Sequence, residues 1–232
     1  MEENQFMIEN IPIKLWGESK NKVFLYIHGK QGYKEEAKSF AEIVCKKGWQ
    51  VLSIDLPEHG DRKKEKDKFN PWIIVPELKT IMKYLNEKWD TIGLRATSIG
   101  AWFSMIAFQD YIFERCLLVS PVIDMRELIF KMMSWESVTL EKLKAEGEIP
   151  TSFGETLSWK YLKYTIDNPI EKWESPTSIL YPEFDNMTNL ESVVNFSKNF
   201  KIDLTILEKS EHYIHKPKEL EYLKEWTIKS II

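Results

Sequence analysis

The chain has 232 residues, 43% of them hydrophobic, enough for the core of one domain with room for an inserted subdomain. Its 32 Lys and Arg against 36 Asp and Glu leave a net charge of −4, so no basic field draws in nucleic acid or an anionic membrane surface. The acidic stretch Met1 to Gln5 is not followed by an apolar run of signal-peptide or membrane-span length, so a cytoplasmic protein is expected.

Phe6 to Trp16 alternates apolar and polar positions around Pro12, and Val23-Phe24-Leu25-Tyr26-Ile27 is a continuous apolar run. These predict edge strands leading into a buried central strand. His28-Gly29-Lys30-Gln31-Gly32 follows, and Ala37, Phe40, Ala41, Val44 and Cys45 then fall at the spacing of an amphipathic helix closed by Gly48. Gln50 to Ile54 predicts a strand ending in Asp55-Leu56-Pro57-Glu58-His59-Gly60-Asp61-Arg62, and the mixed-charge run after it reads as a solvated loop. Ile74, Leu78, Ile81, Met82 and Leu85 predict a helix over 71–89. Thr91 to Ala96 predicts a strand, Ser98 to Gln109 a helix, and Cys116 to Val119 a further buried strand stopped by Ser120-Pro121.

Such alternation predicts an α/β fold with a mostly parallel sheet of about eight strands, covered by helices on both faces. From Val122 the rhythm changes to segments rich in Met, Trp, Phe and Tyr, interrupted by Gly147, Pro150, Gly154 and Pro169. A helical cap insertion is expected over 122–174, dividing the core into 1–121 and 175–232. The pattern resumes with a strand from Thr177 to Tyr181, a helix from about Thr188 to Asn199, a strand from Ile202 to Leu207 and a closing helix from Pro217 to Ser230. Cys45 and Cys116 lie in apolar sequence and read as small buried hydrophobes rather than a disulfide or metal pair.

The stretch Leu94-Arg95-Ala96-Thr97-Ser98-Ile99-Gly100-Ala101-Trp102 runs from an apolar strand through a serine into a helix. Ala96 and Gly100 flank Ser98 at two residues on either side, and both are small, as a sharp strand-to-helix turn requires. The usual first residue of this pattern is glycine; alanine keeps the steric condition and makes the motif less specific. A His-Gly pair follows an early strand at His28-Gly29, and an Asp-Leu-Pro-Glu-His-Gly turn runs from Asp55 to Gly60. An acid follows a late strand at Asp185, and a histidine follows the last strand at His212. With these pieces in this order, the chain resembles the α/β-hydrolase superfamily over nearly its whole length.

The resemblance implies that Ser98 is a nucleophile, His212 its base and Asp185 the acid that orients the imidazole. It also implies an oxyanion hole formed by the backbone amides of Ile99 and Lys30, with Gln31 in place of Lys30 if the loop is registered one residue later. The chemistry is coherent in itself. A serine hydroxyl needs a base near neutral pKa to become nucleophilic, and imidazole is that base. A carboxylate on the other ring nitrogen fixes the tautomer, and preorganised amides stabilise the tetrahedral oxyanion.

Each position has a rival. His215 lies beside His212 but falls where the closing helix begins, and reads as a helix-start residue. Asp124, after the strand that follows the serine, is a second place where the fold can carry the acid, and Glu183 a third; the turn after the penultimate strand fits Asp185 better. His28, His59 and Asp55 read as residues that hold loops. His212 and His215 lack a further ligand nearby, and the early glycines lack P-loop spacing, so neither a metal nor another cofactor is expected.

Met125, Met132, Trp135 and Trp159 from the insertion are expected to wall an apolar substrate pocket, unless they only form the insertion's own core. The resulting expectation is a serine hydrolase of carboxylesterase type, cleaving a small-molecule ester of a small or medium apolar acyl group through an acyl-enzyme. A thioesterase or peptidase would use the same machinery. A non-catalytic ligand-binding homologue is the alternative from another class.

Overall fold

The computed structural model describes residues 1–231. Ten strands are present: β1 (Glu3–Ile8), β2 (Ile11–Trp16), β3 (Lys22–Ile27), β4 (Gln50–Ile54), β5 (Thr91–Thr97), β6 (Arg115–Val119), β7 (Glu148–Pro150), β8 (Thr156–Ser158), β9 (Thr177–Phe184) and β10 (Asp203–Glu211). The α-helices are α1 (Lys38–Val44), α2 (Pro71–Lys88), α3 (Ile99–Phe108), α4 (Met125–Trp135), α5 (Leu140–Glu146), α6 (Trp159–Asp167), α7 (Leu190–Phe200) and α8 (Pro217–Ser230). Eight strands form one sheet in the order β1-β2-β4-β3-β5-β6-β9-β10, while β7 and β8 pair only with each other. β1–β2 and β2–β4 pair antiparallel; the remaining neighbours in the large sheet are parallel.

The apolar run of β3 is explained by burial on both faces. Val23, Leu25 and Ile27 point into a core shared with Ile74 and Leu78 of α2 and Phe103 of α3. Phe24 and Tyr26, the alternate residues, point into a second core with Phe40 and Val44 of α1 and Trp226 of α8. Side chains alternate across a strand, so a strand covered on both sides cannot tolerate a polar stripe. After β3 the chain moves outward to β4, then returns through α2 to β5 on the other side of β3. The carboxyl ends of β3 and β5 therefore diverge into loops that run in opposite directions, the position where open α/β sheets form a crevice.

Two segments differ from the sequence expectation. The helix expected after β3 is short: a 3₁₀ turn at Lys34–Ala37, then α1, then a 3₁₀ turn at Cys45–Lys47 ended by Gly48 at φ 81°. Its first turn is tied to the loop after β4, because the Lys34 amide donates to Asp55 Oδ1 at 2.8 Å. The segment between β6 and β9 is not wholly helical, since it contains the β7–β8 hairpin. Pro150 lacks the amide a helix needs. The hairpin turn is closed by Thr151 N–H donating to Glu155 O at 2.8 Å, with Gly154 at φ 85°. No helix among the described residues is long and apolar enough to cross a membrane.

Gly93 of β5 faces Phe24 in register, and a Cβ there would lie 2.4 Å from Phe24 Cε1. The Phe24 ring is held edge-on to Phe40 at 5.2 Å and against Trp49 at 4.4 Å, so it has nowhere to retreat. Gly93→Ala is expected to cost about 1–3 kcal/mol of stability, read as a lower urea midpoint; an unchanged midpoint would mean that the ring repacks freely.

Candidate active site

Ser98 joins β5 to α3 with φ 52° and ψ −126°, a conformation that side-chain-bearing residues avoid. Three backbone hydrogen bonds hold it there. Its N–H donates to Val119 O at 3.0 Å, and its carbonyl accepts from Ala101 N at 3.0 Å and Val122 N at 3.1 Å. The neighbouring segments come so close that a Cβ on Gly100 would lie 2.3 Å from His28 O. Ala96 is fully buried and pairs with Ile27 of β3. Gly100 is thus sterically required, and Ala96 has no solvent-facing room for a larger side chain.

Ser98 Oγ donates to His212 Nε2 at 2.8 Å, and His212 Nδ1 donates to Asp185 Oδ2 at 2.7 Å. The carboxylate at Nδ1 keeps the proton on that nitrogen, so Nε2 presents its lone pair to the hydroxyl. Asp185 lies just beyond β9, its side chain fully buried. Its second oxygen accepts from the amides of Met187 at 2.7 Å and Thr188 at 3.1 Å, which fixes the carboxylate plane. The same turn is anchored by Tyr181 OH donating to Thr188 O at 2.8 Å and Thr188 Oγ1 donating to Pro121 O at 3.0 Å. Burial pushes the Tyr181 phenol up to about 12, which keeps it a donor. His212 follows β10, whose pairing with β9 shifts register between Leu207 and Glu211.

The rival positions lie elsewhere. Asp124 caps α4, accepting from Glu127 N at 2.9 Å. Glu183 accepts from Lys209 N at 2.7 Å across the β9–β10 irregularity. His215 stacks on Tyr213, ring centroids 4.9 Å apart, and its amide donates to Glu219 at the start of α8.

Of the loop amides after β3, that of Gln31 donates to His59 Nε2 at 2.9 Å. Among the described residues, the amides of Lys30 and Ile99 have no backbone or side-chain acceptor in the chain. His28 accepts from Leu56 N at 3.0 Å through Nε2 and donates from Nδ1 to Gly29 O at 2.7 Å. Burial pushes His28 down to about 4, so the ring is neutral near pH 7. Asp55 accepts from Lys34 N and Nζ, both at 2.8 Å, and from Asp61 N at 2.9 Å. Despite burial, Asp55 and Asp61 hold the Lys34 ammonium above its usual range.

Met125 is buried in the main core, and Met132 and Trp159 pack partly buried against it. Trp135 is exposed, edge-on to Phe153 at 5.6 Å. Two further contacts join the segment between β6 and β9 to the loop after β3 and to α3. Glu155 in the β7–β8 turn forms an ion pair with Lys30, and Tyr161 of α6 stacks on Trp102 of α3 with centroids 5.9 Å apart. Arg95 was overlooked, although an arginine inside an apolar strand is a visible signal. It is buried beneath the turn, donating from one guanidinium nitrogen to Ala96 O at 2.9 Å and Thr97 Oγ1 at 3.2 Å. No group of three or more His, Cys, Asp or Glu is arranged to hold a metal among the described residues.

No protein-family model matches the sequence, and no curated protein is similar to it in sequence. Solved structures are similar in fold. Est1E from Butyrivibrio proteoclasticus, solved with ferulic acid bound, is 19% identical, with 98% of this chain and 99% of that chain covered at a TM-score of 0.77. Alpha/beta hydrolase domain-containing protein 10 from mouse is 12% identical over 100% of this chain and 98% of that one, with a TM-score of 0.75. The thioesterase domain from the curacin biosynthetic pathway is 15% identical over 98% and 99%, with a TM-score of 0.62. The chain has the α/β-hydrolase fold.

The His28 shift makes stability depend on pH. Its folded pKa of about 4 lies below the unfolded value near ~6.5. Between these values the unfolded chain takes up a proton that the folded chain refuses, so stability is full above ~6.5 and declines as pH falls toward 4. The loss expected from this group is about 3 kcal/mol. Urea midpoints from pH 7 to 4.5 should fall less steeply for His28→Gln than for wild type; parallel curves would show that His28 is not the responsible group.

Proposed function

We propose that the chain is a serine hydrolase that cleaves carboxylic esters through an acyl-enzyme. The observation carrying this reading is the unbroken hydrogen-bond path from Ser98 Oγ through His212 to the buried carboxylate of Asp185. Ser98 attacks the ester carbonyl carbon as its proton passes to His212 Nε2, and Asp185 stabilises the imidazolium that forms. The carbonyl oxygen becomes the oxyanion and accepts from the Lys30 and Ile99 amides. Collapse of this intermediate breaks the bond to the alcohol, which leaves with the proton from His212. Water, deprotonated by His212, then attacks the acyl carbon, and the acid departs as Ser98 regains its proton.

The likeness to Est1E with ferulic acid bound supports a small or medium acyl group, aromatic acids included. The likeness to a thioesterase domain supports thioesters as a second substrate class, since the same triad serves both. Met132 and Trp159, partly buried on the insertion, are proposed to border the acyl site, and Met125 to support it from the core. Trp135, exposed beside Phe153, is proposed for its outer rim.

A fluorophosphonate probe is expected to label wild type and not Ser98→Ala; an unlabelled wild type, or equal labelling of both, would overturn the hydrolase reading. On a panel of p-nitrophenyl esters and acyl thioesters, Asp185→Asn is expected to lower kcat by roughly 10⁴-fold, because it leaves His212 in the wrong tautomer. Asp124→Ala removes a helix cap and an exposed ion pair with Arg126 and is expected to cost about 1 kcal/mol of stability with turnover unchanged. Loss of turnover in that variant, with Asp185→Asn active, would move the acid to Asp124.

A further inference from the structure

We propose that His59 is a positioning residue for the oxyanion hole: by accepting the Gln31 amide it holds the turn after β3 in the shape that leaves the Lys30 amide free for the substrate. The inference rests on the reading of Ser98 as nucleophile.

The turn is strained. Gln31 has φ 64°, in the left-handed region, which costs a residue with a side chain roughly 1–2 kcal/mol. Two amide hydrogen bonds close it. Gly32 N–H donates to Gly29 O at 3.1 Å, and Gln31 N–H donates to His59 Nε2 at 2.9 Å. The second comes from a different loop, so it fixes the turn relative to the rest of the molecule as well as internally.

His59 is itself constrained to act as an acceptor. Its Nδ1–H donates to Pro57 O at 2.8 Å, which leaves Nε2 with a lone pair toward Gln31. His59 is 8% exposed, and its ring lies between His28 at 5.1 Å and Phe69 at 4.6 Å, with Phe69 edge-on to Phe103 of α3 at 5.5 Å. The arrangement is reciprocal. His28, at the end of β3, accepts the amide of Leu56 from the loop after β4, and His59, in that loop, accepts the amide of Gln31 from the loop after β3. The two rings cross-tie the loops. His59 touches no reacting atom and works through Gln31. A donor that is already in place when charge develops needs no reorganisation, which is the condition for an effective oxyanion hole.

Two substitutions separate the acceptor from the ring. His59→Gln keeps an acceptor at the reach of Nε2 and removes the ring; His59→Phe keeps a ring between His28 and Phe69 and removes the acceptor. On a p-nitrophenyl ester, His59→Phe is expected to lower kcat by roughly 10–100-fold with KM little changed, below the roughly 10²–10³-fold loss from deleting a donor outright. Amide hydrogen exchange at Gln31 should accelerate in the same variant. His59→Gln should restore kcat to near wild type and Gln31 protection with it. If His59→Phe does not fold, His59→Asn takes its place, its shorter amide failing to reach Gln31, with the same expected losses.

Wild-type kcat in the acceptor-less variant, unchanged Gln31 exchange there, or an equal loss of kcat in His59→Gln would each overturn the proposal. A wild type that neither labels with fluorophosphonate nor turns over would overturn the hydrolase reading and the positioning role together. A wild type that labels while His59→Phe matches it in kcat would remove the role of His59 alone.

Discussion

The turn at Ser98 holds a side-chain-bearing residue at φ 52° and ψ −126°, a conformation that costs about 1–3 kcal/mol and persists only where neighbouring structure imposes it. The imposition comes from both sides. Val119 of β6 and Val122 beyond it bind the Ser98 backbone, while the end of β3 presses against Gly100 closely enough to exclude any side chain. A Cβ on Gly29 would also stand only 3.2 Å from that of Ser98. The serine hydroxyl, the loop after β3 and the start of α3 are therefore brought together by one steric arrangement, and loosening it at any point would disperse all three.

Around this turn the supporting groups are polar and buried, which ties them to defined partners. A buried polar group left without a partner costs about 1–3 kcal/mol, so each such side chain favours one loop geometry over others. Asp55 gathers the Lys34 amide and ammonium and the Asp61 amide, joining the loop after β4 to the segment after β3. A Cβ on Gly60 would sit 2.2 Å from the Asp55 carboxylate, so this knot leaves that position no room for a side chain. Among the described residues no carboxylate lies within ion-pairing distance of Arg95; its guanidinium lies over the rings of Tyr26 and Phe40, at 5.7 and 5.9 Å, and bonds the two residues before Ser98.

The segment between β6 and β9 is attached differently. Its contact with α3 is aromatic, through Tyr161 on Trp102, and its contact with the loop after β3 is the Lys30–Glu155 ion pair, whose side chains are both partly exposed. Exposed pairs of this kind contribute about 0–1 kcal/mol, so the aromatic packing of Tyr161 and Tyr164 on Trp72 of α2 and of Tyr161 on Trp102 contributes more. The same lysine whose backbone amide has no acceptor among the described residues thus carries the side chain that reaches the β7–β8 turn.

Much of the fold was legible in the residues because its causes are local. The unbroken apolar run of β3 reports burial on two faces, Gly48 stops a helix by adopting φ 81°, and Ala96 and Gly100 report a close crossing around the serine. The order of strands and helices followed from that pattern, and the candidates Ser98, Asp185 and His212 from the resemblance to the α/β-hydrolase superfamily that the motifs carry. What only the tertiary structure decided was pairing over long separations. It places Asp185 rather than Asp124 or Glu183 against His212, and it engages the Gln31 amide with His59, whereas that of Lys30 has no acceptor among the described residues. It also turns part of the expected helical insertion into a hairpin. Ser98 and His212 lie 114 positions apart, and no periodicity extends so far; their distance of 2.8 Å is set by the register of the sheet and the irregularity in β10.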